Sequence, residues 1–289
     1  MLRSHTRRGL TVVCAAATIL VAAPAAAQAA TPAAPTTQTA SSGIVTATFT
    51  FTTTAQNTYP SKTLAIAQSG QVFYDQPVSS RYCRPNAAVQ PYCAPASTEP
   101  GQSSVHVLDL EHDGQPDVVL DLYTGGAHCC SVEQIFSFDP GTETFVLTQH
   151  DFGDPGEKIE DLGHNGRYEF LTADDRFAYA FTDFADSGLP IEILTFADRR
   201  FTNVTRKYPK LIAKNAAMYL NDFKHDHVDG DGLIAAWAAD EDNLGHSALV
   251  SSTLAKELKA NDLHGLNYSS GKKFVKALNK LLRKDGYVH

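Results

Sequence analysis

The sequence predicts an α+β fold with segregated elements: an all-β domain over residues 43–208 and a small helical domain over residues 209–289. Three observations lead to this. Short runs of β-branched and aromatic residues, such as Val45–Phe51, are separated by Gly, Asp, Asn or Pro, which is typical of strands. After Pro209 the apolar residues recur at helical spacing. A segment of about ten residues also occurs twice, which indicates internal repeats.

The N-terminus has the pattern of a secretory signal peptide. Its first eight residues contain three arginines and no acidic residue, and an alanine-rich run over residues 10–27 ends in Ala27-Gln28-Ala29. We therefore expect cleavage after residue 29 and a secreted, extracellular protein. The alternative is a retained anchor, but the run is too short and too rich in alanine for a convincing membrane span, so we expect no stable membrane insertion.

The composition and charge of the mature chain limit the classes of partner that we expect. Residues 30–42 contain mostly Ala, Pro, Thr, Gln and Ser, which have little to bury, and they are predicted to form a flexible linker. The formal charge of −8 becomes −11 once the three leader arginines are removed. Such a surface repels nucleic acid and favours cations, so we expect no nucleic-acid partner.

Four cysteines remain after the leader: Cys83, Cys93, Cys129 and Cys130. An even number in an exported chain indicates disulfides, and four cysteines allow three connectivities. The short separation of Cys83 and Cys93 favours a local bridge, which leaves Cys129 and Cys130 as a vicinal pair. The alternative pairs the two groups with each other. A soft-metal or redox site at His128, Cys129 and Cys130 is a third interpretation.

The repeat consists of residues 109–118 and residues 161–170, which lie 52 positions apart. Residues 43–78 are a candidate for a further, degenerate unit. A period near 50 with about four strands in each unit resembles the blades of a β-propeller. Three units are fewer than a closed propeller needs, so we expect an open stack or a sandwich.

The first copy of the repeat predicts a calcium site. Its acidic residues occupy positions one, three, five and nine of a tight loop, glycine is at six, and a backbone carbonyl at seven faces inward: Asp109, Glu111, Asp113, Asp117, Gly114 and Gln115. Side chains at alternate positions of such a loop converge on one point, and calcium takes six to eight oxygen ligands. The glycine permits the chain reversal. The alternative is an Asp/Gly-rich hairpin turn without an ion.

The second copy is a weaker calcium candidate. It keeps oxygen-bearing side chains at Asp161, Asn165 and Glu169. Gly163, however, supplies no side-chain oxygen, and Arg167 adds a cation nearby. A structural turn is therefore the alternative for this loop.

These loops resemble the calcium-binding units of FG-GAP/VCBS-type repeats. Over most of residues 60–289 the chain is also similar to a group of exported actinobacterial proteins of unassigned function. That similarity rests on the Leu-Tyr-x-Gly-Gly-Ala-His-Cys-Cys segment at Leu122–Cys130 and on Ala173–Phe181. The repeat resemblance implies calcium at the four acidic residues of the first copy, and it implies no enzymatic activity. The second copy departs from the pattern at Gly163.

Two further clusters are candidates for chemistry. Asp174, Asp175 and Arg176, together with Asp183 and Asp186, suggest a general acid/base pair of the glycosidase type. The alternative is a charged loop with an Arg–Asp pair.

The second cluster is His225-Asp226-His227 with Asp229 and Asp231. It suggests a transition-metal or calcium site. It fails the calcium-loop spacing, and a turn between helices is the alternative.

The leading functional hypothesis is an exported, calcium-binding, non-enzymatic protein with a binding or interaction role at the cell envelope. Its partner would be a protein or a glycan, and the oligomeric state is left open. The alternative is an extracellular hydrolase with structural calcium, in which Asp174 and Asp175 supply the acids.

Overall fold

The computed structural model describes residues 34–55, 57–83, 93–96, 102–126, 128–225, 229–263, 265 and 267–288. The predicted signal peptide lies outside these residues. The chain from Ala33 to His289 forms one compact unit. Its fold is α+β, as predicted, with antiparallel sheets followed by four C-terminal helices.

The first sheet is an antiparallel meander of four strands: β1 (Thr36–Ser42), β2 (Val45–Thr52), β3 (Ser61–Gln68) and β4 (Gln71–Pro77). Residues alternate along β2, so that Val45, Ala47, Phe49 and Phe51 are buried and the residues between them are not. This is the period of a strand with one face on a core.

Strand β1 corrects the predicted linker over residues 30–42. All seven residues of β1 pair with β2, from Thr36 opposite Phe51 to Ser42 opposite Val45. Most of its side chains are exposed. The linker prediction rested on the absence of side chains to bury, but an edge strand is also held by backbone hydrogen bonds to its neighbour, which composition does not reveal.

The second sheet has five strands: β5 (Ala94–Pro95), β6 (Val105–Leu108), β7 (Asp117–Gly126), β8 (Cys129–Asp139) and β9 (Thr144–Gly153). Strands β7, β8 and β9 are consecutive neighbours, while β5 and β6 both pair with β7. The third sheet is a meander of β10 (Lys158–Glu160), β11 (Glu169–Ala173), β12 (Ile191–Ala197) and β13 (Arg200–Asn203).

The second sheet is buried on both faces. Val118 and Leu120 of β7 share a core with Phe49 of the first sheet. Val119, which points the other way, shares a core with Phe170 and Leu194 of the third sheet. The interpretation of these sheets as propeller-like blades stays a prediction.

The helices are α1 (Pro209–His225), α2 (Asp231–Asn243), α3 (Ser247–Ala260) and α4 (Gly271–Lys284). Proline suits the first position of α1, because its backbone has no N–H to leave unpaired. Phe177 and Phe181 pack in the same core as Trp237 of α2. The residues before and after the predicted boundary at 208/209 therefore share a core. Within the described residues, none of the helices is long and apolar enough to cross a membrane.

The disulfides follow the local pairing. Cys83 bonds to Cys93, with their Cα atoms 5.4 Å apart, and Cys129 bonds to Cys130. The crossed alternative is therefore wrong.

Candidate functional site

The first predicted calcium loop connects β6 to β7. The carboxylate of Asp109 accepts hydrogen bonds from the backbone N–H groups of Asp113 (3.0 Å) and Gly114 (2.9 Å). The carboxylate of Asp113 accepts one from the N–H of Gln115 at 2.8 Å. Gly114 has φ +84°, in the left-handed region that favours glycine. The loop is thus a tight reversal held by its own acidic side chains.

The second loop connects β10 to β11 and makes the same hydrogen bonds. Asp161 accepts from the N–H groups of Asn165 (3.0 Å) and Gly166 (2.9 Å), and the Asn165 side-chain oxygen accepts from the N–H of Arg167 (3.0 Å). Gly166 has φ +85°. The two loops touch, because the N–H of Tyr168 donates to the carbonyl of Leu110 at 3.1 Å.

The closing acid of each loop lies at the start of the next strand. Glu169 accepts a 3.1 Å hydrogen bond from the N–H of Leu162. Asp117 is buried. Burial raises the pKa of Asp117 to about 7, and the negative charges of Glu111 and Asp113 add to the rise.

The eight predicted metal residues are not all gathered at one point. Glu111 is directed to the turn between β12 and β13, where it accepts a 3.1 Å hydrogen bond from the N–H of Asp198. Across the described part of the chain, no group of three or more His, Cys, Asp or Glu side chains is arranged to hold a metal ion. The negative charge of the acids in the first loop suits a dication: burial is the main cause of the raised pKa of Asp117, and the charges of Glu111 and Asp113 add to it. Calcium binding at either loop stays a prediction.

Asp174, a predicted hydrolase residue, is held in an ion pair. Its carboxylate accepts hydrogen bonds from Nε (2.7 Å) and Nη2 (2.6 Å) of Arg176, and a third from the hydroxyl of Tyr287 (2.7 Å). Its side chain is 2% exposed. The same Arg176 lies 3.3 Å from Asp285. This arrangement joins the end of β11 to the C-terminal end of α4, which is a structural role.

Asp175 lies at a cavity of about 250 Å³. Burial raises its pKa, and the negative charges of Asp154, Asp151 and Asp174 add to the rise. Asp183, by contrast, accepts a local 3.1 Å hydrogen bond from the N–H of Asp186. Asp174 and Asp183 are therefore engaged in separate local contacts, while Asp175 lies at the cavity.

The remaining clusters make the following local contacts where they are described. Cys129 and Cys130 are bonded to each other, so neither sulfur is a thiolate ready to bind a metal. The ring of His128 packs on Phe184, with centroids 4.1 Å apart. A ring nitrogen of His225 lies 2.7 Å from the carbonyl of Asn221.

The structure describes only part of the rest of the His225 cluster. Asp226 and His227 lie outside the described residues. Asp231 is buried, and its carboxylate accepts a 3.1 Å hydrogen bond from the N–H of Gly265.

A site that the sequence reasoning missed lies between the second and third sheets. Asp121 of β7 is the cross-strand partner of Glu133 of β8. Glu157, in the connection from β9 to β10, is close enough to Glu133 for their carboxyl groups to hydrogen-bond, as is Asp121. Asp121 and Glu157 line a cavity of about 650 Å³. We call this cavity, together with Asp121, Glu157 and the buried Glu133 beside them, the acid pocket.

The signal for the acid pocket is a charged residue inside an otherwise apolar strand. Asp121 interrupts the run Val118–Leu122, and Glu133 stands beside Val132 and Ile135 in β8. Buried carboxylates are uncommon unless they are paired. Burial, with the nearby charges of Asp121 and Glu157, raises the pKa of Glu133 well above its usual range. Perturbed acids in a cavity are frequent at functional sites.

Comparison with known proteins gives distant relatives. The chain is 26% identical over 148 residues to a probable thylakoid lumen protein from Synechocystis sp.. The aligned region covers 49% of this chain and 44% of that protein. It is 25% identical over 139 residues to an uncharacterized protein from Sinorhizobium fredii. That aligned region covers 46% of this chain and 22% of the relative. The chain thus spans less than half the length of these curated relatives. No protein-family model and no solved structure matches it.

Proposed function

We propose that this chain is an exported protein whose β region is stabilised by calcium at the β6–β7 loop, and that it acts by binding a partner at the cell envelope. The observation that carries the proposal is the local geometry of the two loops. In each, an aspartate at position one accepts the N–H groups of positions five and six, and a glycine at position six has a positive φ. Loops of this kind hold calcium with oxygens from alternate positions.

Electrostatics supports an ion at the first loop more than at the second. The carboxylates of Glu111 and Asp113 repel that of Asp117: after burial, their charges are among the causes that raise the pKa of Asp117. A dication would remove that repulsion in the folded state alone and would therefore favour folding. In the second loop Asn165 replaces an acid and Arg167 supplies a positive charge. The proposal accordingly assigns calcium to Asp109, Glu111, Asp113 and Asp117, with the carbonyl of Gln115.

Export is supported by several independent features. The leader has the three regions of a secretory signal. The two disulfides suit an oxidising compartment. The printed name of one relative, a probable thylakoid lumen protein, refers to a compartment beyond a membrane. Together they favour a location outside the cytoplasm for the mature chain.

A binding role is supported by exposed aromatic side chains beside the vicinal disulfide. Tyr179 is 56% exposed, and its ring packs with Phe184, which in turn packs on His128. Aromatic side chains are enriched at protein interfaces and among the residues that carry binding energy. The proposed partner is a protein or a glycan.

The second candidate is a hydrolase centred on Asp175. It is favoured by one observation, the raised pKa of Asp175 beside a small cavity. Asp174, its expected partner acid, is engaged by Arg176 and Tyr287. A glycosidase needs two free carboxyl groups, so this candidate ranks below the binding role.

The test is thermal unfolding of the mature chain in chelator and in millimolar calcium. At about 100-fold excess over its dissociation constant, a bound ion contributes about 2.7 kcal/mol, which raises the melting temperature by several degrees. Magnesium should do much less, because it retains its water ligands and resists flexible geometry. Asp113→Asn should remove most of the calcium response, whereas Asn165→Ala should leave it intact.

Asp139→Asn is the matched control. Asp139 accepts the N–H of Gly141, two residues on, in the way that Asp113 accepts the N–H of Gln115, but it lies outside the loop. This variant should keep the calcium response. Identical melting curves for the wild type in chelator and in calcium, with no heat of binding in calorimetry, would show that the loop is only a turn.

A further inference from the structure

We propose that the acid pocket binds a small organic cation, with an ammonium group of the ligand at the carboxyl groups of Asp121 and Glu157, which line the cavity next to the buried Glu133. The inference goes beyond the calcium-stabilised binding role. It is also independent of it, because none of these residues belongs to the β6–β7 or β10–β11 loop.

The cavity has the size and lining of a ligand site. Its volume of about 650 Å³ falls within the usual range for small-molecule pockets, about 300–1,000 Å³. Pro95, Leu108 and Ile159 provide apolar walls, while Asp121 and Glu157 provide a charged end. Such a division suits a ligand with a hydrocarbon part and a charged group.

The charged end contains buried carboxyl oxygens that accept no hydrogen bond. Glu133 is 0% exposed, and both of its carboxyl oxygens lack a hydrogen-bond partner. One oxygen of Asp121 (Oδ1) and one of Glu157 (Oε2) are in the same state. An ionised carboxylate only accepts hydrogen bonds, so these groups cannot satisfy one another. A buried acceptor left unsatisfied costs about 1–3 kcal/mol, and more when it is charged.

The surrounding described residues do not neutralise this charge. Nε2 of His106 lies 3.2 Å from Oδ2 of Asp121, at one edge of the cluster. The hydroxyl of Ser131 donates to Oε1 of Glu157 at 3.4 Å. Lys158 also lines the cavity, but its ammonium group pairs with Glu160. Neither His106 nor Lys158 contacts Glu133 as an ion-pair partner.

Protonation is the other way to offset the negative charge of the three acids, and it is the less effective one. Burial raises the pKa of Glu133 well above its usual range, and burial also raises the pKa of Glu157. A single shared proton supplies one donor to the four orphaned oxygens. An ammonium group supplies three donors and a full positive charge. A cation therefore compensates the site more completely than protonation does.

The geometry disfavours two other uses of the same acids. Glycosidases hold their carboxyl groups about 5–9.5 Å apart, whereas here the carboxyl of Glu133 is within hydrogen-bonding reach of both neighbours. The described residues show no group of acids arranged for a metal ion. Recognition of an organic cation fits both facts.

The experiment is a ligand-observed NMR titration of the mature chain with n-pentylammonium, n-pentanol and pentanoate. These probes match in length and differ in charge. The ammonium probe should bind about ten-fold or more tightly than the alcohol, since hydrogen bonds to charged groups are the stronger ones. The carboxylate probe should not bind. A parallel titration with acetyl-Gly-Lys-Gly-amide shows whether a lysine side chain of a peptide enters better than a free amine.

Two variants assign the binding to the pocket. Glu133→Gln and Glu157→Gln should each weaken pentylammonium binding about ten-fold or more. Glu143→Gln, the same change at an exposed position, should leave it unchanged. Melting curves confirm folding, and Glu157→Gln serves if Glu133→Gln does not fold.

Three outcomes would overturn the proposal. They are equal binding of the ammonium and alcohol probes, unchanged binding in both pocket variants, and displacement of the ammonium probe by calcium at equal concentration. Loss of the calcium response in Asp113→Asn would leave the proposal untouched, because that residue belongs to the β6–β7 loop. The two proposals therefore fail separately.

Discussion

The hydroxyl of Tyr287 donates a 2.7 Å hydrogen bond to the carboxylate of Asp174, 113 residues earlier in the chain. The bond joins the C-terminal end of the chain, just after α4, to the loop that follows β11. Asp174 is 2% exposed, and its carboxylate also lies 2.6 Å from Nη2 of Arg176. Burial raises the pKa of Tyr287, with the charge of Asp174 as the next cause, so the phenol remains a donor.

Removing this donor should destabilise the whole chain. Tyr287→Phe keeps the ring contact with Phe177 but leaves Oδ2 of Asp174 with Arg176 as its remaining donor in the side-chain contacts described. We expect a loss of about 1–3 kcal/mol in the free energy of unfolding, measured by urea denaturation. Tyr179→Phe, at a 56% exposed tyrosine, is the control and should have no effect. Equal stability of Tyr287→Phe and wild type would mean that the C-terminal contact is dispensable.

Asp174 and Asp175 should respond in opposite ways to neutralisation. Asp174→Asn removes an acceptor from Arg176 and should cost at least about 1 kcal/mol. Asp175→Asn removes a charge that burial and nearby acids disfavour, so it should leave the melting temperature unchanged or slightly higher. A screen of polysaccharide, ester and peptide substrates checks the rival function. Hydrolysis that Asp175→Asn abolishes in a stable protein would contradict the binding role.

Strands and helices with a periodic pattern of apolar side chains could be predicted from the sequence. A strand held mainly by backbone hydrogen bonds to its neighbour could not. The alternation in Val45–Phe51 located β2, and helical spacing after Pro209 located α1. Strand β1 was missed because its residues are mostly exposed and only its backbone bonds to β2 hold it. The short separation of Cys83 and Cys93 was sufficient to predict their disulfide.

The predicted sites depended on what local spacing can show. The two loops could be located because their hydrogen bonds join residues only two to five positions apart. The acid pocket could not, because it depends on the register that sets Asp121 opposite Glu133 and on a loop that brings Glu157 to them. The Asp174–Tyr287 bond is likewise invisible in spacing. Asp174, which spacing suggested as catalytic, is therefore held in an ion pair, whereas two of the missed acids, Asp121 and Glu157, line a cavity.

The disulfides predict the thiol content and the stability of the β region. The folded, unreduced protein should show no reactive thiol at its four mature cysteines when titrated under denaturing conditions. Replacing Cys83 and Cys93 together by serine should cost about 2–3 kcal/mol, because the bridge closes a loop with a sequence separation of 10. Denaturation of the double variant measures this. Two or more reactive thiols in the wild type would revive a metal site at Cys129 and Cys130.

Stability should fall as the pH rises from about 4 to about 8. Burial raises the pKa of Asp240 from 3.8 to about 8, although Asn215 and the N–H of Ile191 donate to its carboxylate. Between these values the folded state binds a proton that the unfolded state has released, so rising pH favours unfolding. The contribution is on the order of a few kcal/mol. Urea denaturation across this range should show a smaller slope for Asp240→Asn, while Asp262→Asn, at a partly exposed position, should keep the wild-type slope.

Two matching glycines should differ in their tolerance of a methyl group. Gly114 and Gly166 have nearly equal positive φ angles, +84° and +85°, so alanine at either should cost about 1–2 kcal/mol in backbone strain. A Cβ at Gly114 would meet open space, whereas a Cβ at Gly166 would overlap the ring of His112. Gly166→Ala should therefore be the more destabilising change in urea denaturation. Adding His112→Ala should remove the difference, because the ring that the methyl group meets is then absent. Equal losses for Gly114→Ala and Gly166→Ala in the wild-type background would mean that the two loops do not pack against each other through His112.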